Sequence, residues 1–136
     1  MKQPAKVYLI DTNVILRYLL DDHDRFSPRA RVFMEAVSKG TKKAKTPAVV
    51  IVECIYVLEK FYHVPKKEII DRLSRILNFK GIIGPDKSAI LKALFIYQDT
   101  NVDIVDCILA AFSTPDNVVV SFDKDFRKLN AFTEAL

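Results

Sequence analysis

The sequence predicts an α/β fold, a short parallel sheet covered by helices on both faces. Two runs, residues 6–10 (KVYLI) and 117–123 (NVVVSFD), are short, apolar and rich in β-branched residues, as buried strands are. The stretches between them carry apolar residues at helical spacing, and strands alternating with helices build parallel sheets. The length, 136 residues, suits one domain over residues 1–136 with one core.

Each element follows in order. The first strand ends at Asp11, and TNVILRYLLDD then places Val14, Ile15, Tyr18 and Leu19 on one helical face. Ser27-Pro28 reads as an N-cap followed by proline at the first helical position, and that helix stops near Gly40. TKKAKT is a basic turn with room for a short strand. Pro47 opens AVVIVECIYVLEKFYH, which is apolar on nearly every side and is therefore expected to be buried. Pro65 starts KKEIIDRLSRILNF, with Ile69, Ile70, Leu73, Ile76 and Leu77 on one face. GIIG is a brief strand. Residues 86–98 and 102–113 are two further helices, and DKDFRKL is a short helix after the second clear strand.

Composition narrows the function. Three glycines leave no glycine-rich phosphate cradle. No apolar run reaches membrane-spanning length, and the start MKQPAKVYLID has no signal-peptide core, so a cytoplasmic protein is expected. Cys54 and Cys107 sit in apolar helical patterns and read as buried free thiols. The net charge of +4 is uneven: residues 24–80 hold thirteen basic and six acidic residues, and residues 81–136 hold five basic and eight acidic. A basic middle and an acidic end fit a phosphate-binding face beside a cation-binding pocket, although solvated lysines are the commoner origin of such a bias.

Four acids stand out. Glu53 interrupts VVIVECIYVL on a helix expected to be buried, where a carboxylate needs a cation, a proton or a structural ion pair. Asp106 lies in DIVDCILAAF, whose Ile104, Val105, Ile108, Leu109 and Phe112 are expected to be mostly core, and Asp103 is three residues away on the same face. Asp11 and Asp123 end the two strands, where active sites of such sheets lie, and each also suits an ordinary helix cap, as Asp103 does. Taken together, carboxylates repel unless a cation intervenes, and oxygen-only ligands favour hard cations such as Mg²⁺ or Mn²⁺.

Along nearly its whole length the chain resembles PIN domains, and among them the VapC toxins. The matching segments are LIDTNVILRYLLDD, VVIVECIYVLEKFYHVPKKEI, VDIVDCILAA and VVVSFDKDFRKL. The resemblance implies a three-layer αβα sandwich on a short parallel sheet and a carboxylate site for Mg²⁺ or Mn²⁺. Carried over, the catalytic and metal-binding acids are Asp11, Glu53, Asp106 and Asp123. Thr12 and Asn13 support the first acid, Ser121 stands where the family often has threonine, and Asp103 is an accessory. Asp125 is expected to be a surface or cap residue. The final edge strand is expected to be short or absent.

The activity so implied is endoribonuclease cleavage of RNA leaving 5′-phosphate and 3′-hydroxyl ends. The implied partners are RNA, a small antitoxin protein and a second copy of the chain in a homodimer. Arg17, Arg29, Lys42, Lys43 and Lys45 are the basic residues offered to the RNA backbone. IIDRLSRILNF can be either a partner surface or core. The alternatives are a non-catalytic RNA-binding or scaffold protein, a structure-specific DNA nuclease, and a haloacid-dehalogenase-type phosphatase. The last wants an acid two residues after Asp11, and Asn13 stands there.

Overall fold

In the computed structural model of the chain the described residues are 5–136; residues 1–4, and with them the start of the leaderless N-terminus read above, lie outside them. The elements run β1 (Val7–Leu9), α1 (Thr12–Leu20), α2 (Phe26–Lys39), β2 (Lys43–Lys45), α3 (Ala48–Tyr56), a π-helical turn (Val57–Phe61) and α4 (Lys66–Leu77). Then follow α5 (Lys87–Asp99), α6 (Ile104–Phe112), β3 (Val119–Ser121), a 3₁₀ turn (Lys124–Leu129) and β4 (Thr133–Ala135). They cluster into two compact units, one up to Lys87 and the other Ser88–Leu136, each described by itself below.

In the first unit β1 and β2 pair in parallel, Tyr8 opposite Ala44. Ile82, in the predicted GIIG strand, makes a parallel bridge to Ala44 on the other side of β2. Gly81 ties this segment down: its N–H donates to the Val37 carbonyl at 2.8 Å and its carbonyl accepts from Ala44 N–H at 2.8 Å. α1 packs against α2 and α3. On α4 the expected stripe of Ile69, Ile70, Leu73, Ile76 and Leu77 is wholly buried. Those side chains are core, so that face is not a partner surface.

Two burial expectations fail here for one geometric reason. β1 was expected to be buried, yet Leu9 is 72% exposed. Side chains alternate across a strand, and Tyr8 alone meets α2, edge to face with Phe33 at 5.4 Å. α3 was expected to be covered all round, yet only the stripe of Ile51, Cys54, Ile55 and, in the π turn, Leu58 is buried, while Val49 is 71% exposed. Glu53 lies on the open side and is exposed. The argument from an uncompensated buried charge therefore does not apply to Glu53, because water solvates it.

The start of α2 also differs from expectation. Ser27 is not the N-cap but a buried residue of the first turn, and the helix begins at Phe26. His23 takes the capping part: its Nδ1 accepts from the N–H groups of Arg25 (3.2 Å) and Phe26 (2.9 Å). Ser27 Oγ accepts from His23 N–H in return, and the His23 and Phe26 rings stack at 4.3 Å. The reciprocal pattern satisfies orphan donors as a capping box does. His23→Ala is expected to cost about 1 kcal/mol of stability. Urea unfolding measures it, and an unchanged midpoint would remove His23 as the cap. Gly40 ends α2 as expected, at φ 81°.

In the second unit β3 and β4 pair in parallel, Val119 opposite Thr133. The last strand is short but present, held by Leu136 N–H donating to the Ser121 carbonyl at 3.0 Å. Ala110, Val119, Phe126 and Leu129 form a small core against which Ile96, Val102 and Ala131 pack. On α6 the buried face is Ile104, Cys107, Ala110 and Ala111. Val105 and Leu109, expected to be mostly core, are exposed instead, because the packing stripe runs one residue off the expected one. Cys54 and Cys107 are both free and buried, as expected.

Candidate active site

Each acid singled out in the sequence sits at an element end or on a helix, and local chemistry explains most of the placements. Asp11 is the N-cap of α1, its Oδ1 accepting from Thr12 N–H at 2.8 Å. Asp103 caps α6 through Val105 N–H at 2.9 Å. Asp123 caps the 3₁₀ turn through Asp125 N–H at 2.8 Å, and its own N–H donates to Ser121 Oγ at 2.9 Å. The capping roles are thus real, and they fix where these carboxylates stand: at helix N-termini, where the backbone field favours negative charge.

In the first unit Asp11 and Glu53 both lie near Cys54. Burial chiefly, then the charges of Glu53 and Asp11, push the Cys54 thiol up to about 12. This thiol stays protonated, a packing residue and not a nucleophile. Thr12 is buried behind Asp11, while Asn13 is exposed and lines an open groove of about 540 Å³ with Asp11, Arg17 and Arg29. Arg17 is held by Asp22 at 2.7 Å and by the Tyr62 hydroxyl at 3.2 Å, the latter being the main reason its pKa is raised. The widened π turn ends just before Tyr62. Lys42 stands over the Tyr8 ring at 4.9 Å. Lys43 and Lys45 are exposed on β2 and do not line the groove.

In the second unit Asp103, Asp106 and Asp123 line one cavity of about 230 Å³. Burial first, then the neighbouring charges of Asp103 and Asp123, raise the Asp106 pKa above the usual carboxylate range. Asn101 and Asp125 line the same cavity, and sequence reading had passed over both for the site. The available signal for Asp125 was its position two residues after Asp123. It also pairs with Lys128 at 3.5 Å. Among the described residues no three His, Cys, Asp or Glu side chains come together closely enough to hold an ion by themselves.

Short parallel strands, helices between them and acids at the strand ends and helix starts define a class, and comparison with known families agrees: the PIN domain model matches residues 8–131, and the chain belongs to that family. Its fold class is accordingly αβα. The chain is similar to the VapC ribonuclease of Aquifex aeolicus (strain VF5), with 29% identity over 123 residues that cover 89% of this chain and 90% of that protein. The VapC-type resemblance read in the sequence is borne out at that level. Among the described residues no helix is long and apolar enough to cross a membrane.

Proposed function

We propose that this chain is an endoribonuclease dependent on Mg²⁺ or Mn²⁺, the toxin of a toxin–antitoxin pair, acting as one PIN domain over residues 1–136. The observation that carries the reading is the clustering of Asp103, Asp106 and Asp123 on one cavity of a chain that matches the PIN family. Carboxylates that raise one another's proton affinity are a site for a cation. The donor set, all oxygen, fits a hard divalent ion. Mg²⁺ keeps several waters and needs only one or two direct carboxylates, so a ready-made cage is not required.

Asp11, Glu53, Asp106 and Asp123 are the proposed ligands. When bound, the metal lowers the pKa of water and offsets charge on the phosphodiester. The chain's residues do the rest. Asp11 and Asp123 each commit one oxygen to a backbone N–H, which fixes the direction of the other. Ser121 holds the Asp123 backbone, and Thr12 and Asn13 flank Asp11. Asp103 supports Asp106 as a neighbour. Arg17, Arg29, Lys42, Lys43 and Lys45 meet the RNA backbone, which gives affinity but no sequence choice. A small antitoxin and a second copy of the chain are the proposed protein partners, and a cytoplasmic setting suits all of these.

The test is cleavage of a mixed structured RNA in Mg²⁺ or Mn²⁺ and in EDTA, comparing wild type with Asp11→Asn. The expected result is metal-dependent cleavage leaving 5′-phosphate ends, lost in Asp11→Asn. Equal cleavage by both proteins would remove Asp11 from the site. No cleavage by wild type, together with no metal binding in calorimetry, would leave the non-catalytic RNA-binding reading.

A further inference from the structure

The groove of the first unit has a composition that the metal chemistry does not require. Tyr8, Leu9, Phe26 and Phe33 form an apolar and aromatic wall, and Arg17 and Arg29 stand beside it with Asp11. Phe26 keeps 46% of its surface exposed although His23 stacks on it. Among the described residues Arg29 makes no ion pair. Arg17 is oriented by Asp22 and Tyr62, which leaves further N–H donors of its fork to be used. Cations rim the aromatic rings as well: Lys42 lies over Tyr8 at 4.9 Å, and the Arg25 guanidinium carbon is 5.4 Å from the Phe26 centroid.

We propose that this groove is a subsite for one unpaired nucleotide of the RNA strand, its base against Phe26 and Phe33 and its phosphate on Arg29 and Arg17. The inference rests on the ribonuclease reading and deepens it by naming the substrate class, unpaired rather than duplex RNA. A volume of about 540 Å³ accommodates a nucleotide. The aromatic wall is useful only to a base whose face is uncovered, as it is in loops and single strands and not in a helix. Guanidinium forks match phosphate oxygens in pairs. The surplus of positive charge around the groove selects a polyanion over a protein helix, whose side chains would leave Arg29 uncompensated.

The test is fluorescence anisotropy with a labelled single-stranded oligoribonucleotide and with the same strand annealed to its complement. EDTA is present, so that cleavage is off. Wild type is expected to prefer the single strand. Arg29→Ala is expected to weaken that binding at least about fivefold and to lower the salt slope by about 0.7, the loss of one phosphate contact on a single strand. Phe26→Leu keeps an apolar side chain at the start of α2 and is expected to weaken single-strand binding about tenfold through lost stacking. Lys67→Ala, on exposed α4 surface, removes the same charge and is expected to bind as wild type does.

Equal affinity for single strand and duplex, or Arg29→Ala and Phe26→Leu binding like wild type, would overturn the subsite; a groove that receives a protein helix gives the second of these results. Cleavage in Mn²⁺ is followed on the same proteins. Absent cleavage with the strand preference intact removes the nuclease and keeps the subsite. Preserved cleavage with unchanged binding by the variants removes the subsite and keeps the nuclease.

Discussion

Asp106→Asn is expected to lower RNA cleavage at least about 100-fold while leaving the fold intact, because it replaces a metal-binding carboxylate with a neutral isostere. Asp106 is the acid whose surroundings most resist its charge: burial, then Asp103 and Asp123, raise its pKa. The sign of the stability effect follows. A carboxyl group with a raised folded-state pKa binds its proton more tightly in the folded protein than in the unfolded chain. Its contribution therefore favours folding at low pH and turns unfavourable as pH rises through the folded-state value. In metal-free buffer at neutral pH, Asp106→Asn is expected to have the higher Tm, and the difference is expected to vanish in acid. Mn²⁺ is expected to raise the Tm of wild type and not that of the variant. On the acid side, cleavage by wild type is expected to fall at a pH above the ordinary carboxylate range. A variant that cleaves at the wild-type rate, or whose metal-free Tm is lower at neutral pH, contradicts this account of Asp106.

The largest expected effect on stability is at Gly81. A Cβ built there would overlap the Lys42 carbonyl oxygen and lie 2.5 Å from that of Val37. Both are backbone atoms and cannot swing aside as a side-chain end can. Gly81 also joins the end of α2 to β2 through its two 2.8 Å hydrogen bonds, so any shift that relieves the overlap breaks them. Gly81→Ala is expected to cost about 3 kcal/mol or more in urea unfolding. Gly84 provides the contrast. A Cβ there meets only the Lys45 side chain at 3.5 Å, but φ is 118°, so Gly84→Ala is expected to cost about 1–2 kcal/mol from the backbone alone. Similar losses at the two positions would show that the α2–β2 junction yields.

The order of elements, the buried stripe of α4, the stop at Gly40 and the free buried cysteines were all legible in the sequence, because each follows from local periodicity or local backbone chemistry. So was membership of the PIN family, since it depends on acids and apolar runs in a fixed order along the chain. What periodicity does not encode is which face of an element finds a neighbour. VVIVECIYVL is apolar enough to be covered on every side, but only one stripe of α3 is, so Glu53 is solvated. KVYLI has the composition of a buried strand, yet alternation turns Val7 and Leu9 away from the α2 side that covers Tyr8. At α2 the sequence offered Ser27 as the cap, and the helix began one residue earlier because the His23 imidazole, reaching across the turn, satisfies the same donors. The meeting of Asp103, Asp106 and Asp123 on one cavity, with Asn101 and Asp125 beside them, likewise depends on how α6 packs beside the 3₁₀ turn. The sequence by itself determined the fold class and the identity of the acids. Tertiary packing alone decided which of them share a cavity and which face water, because burial is a property of the neighbour and not of the residue.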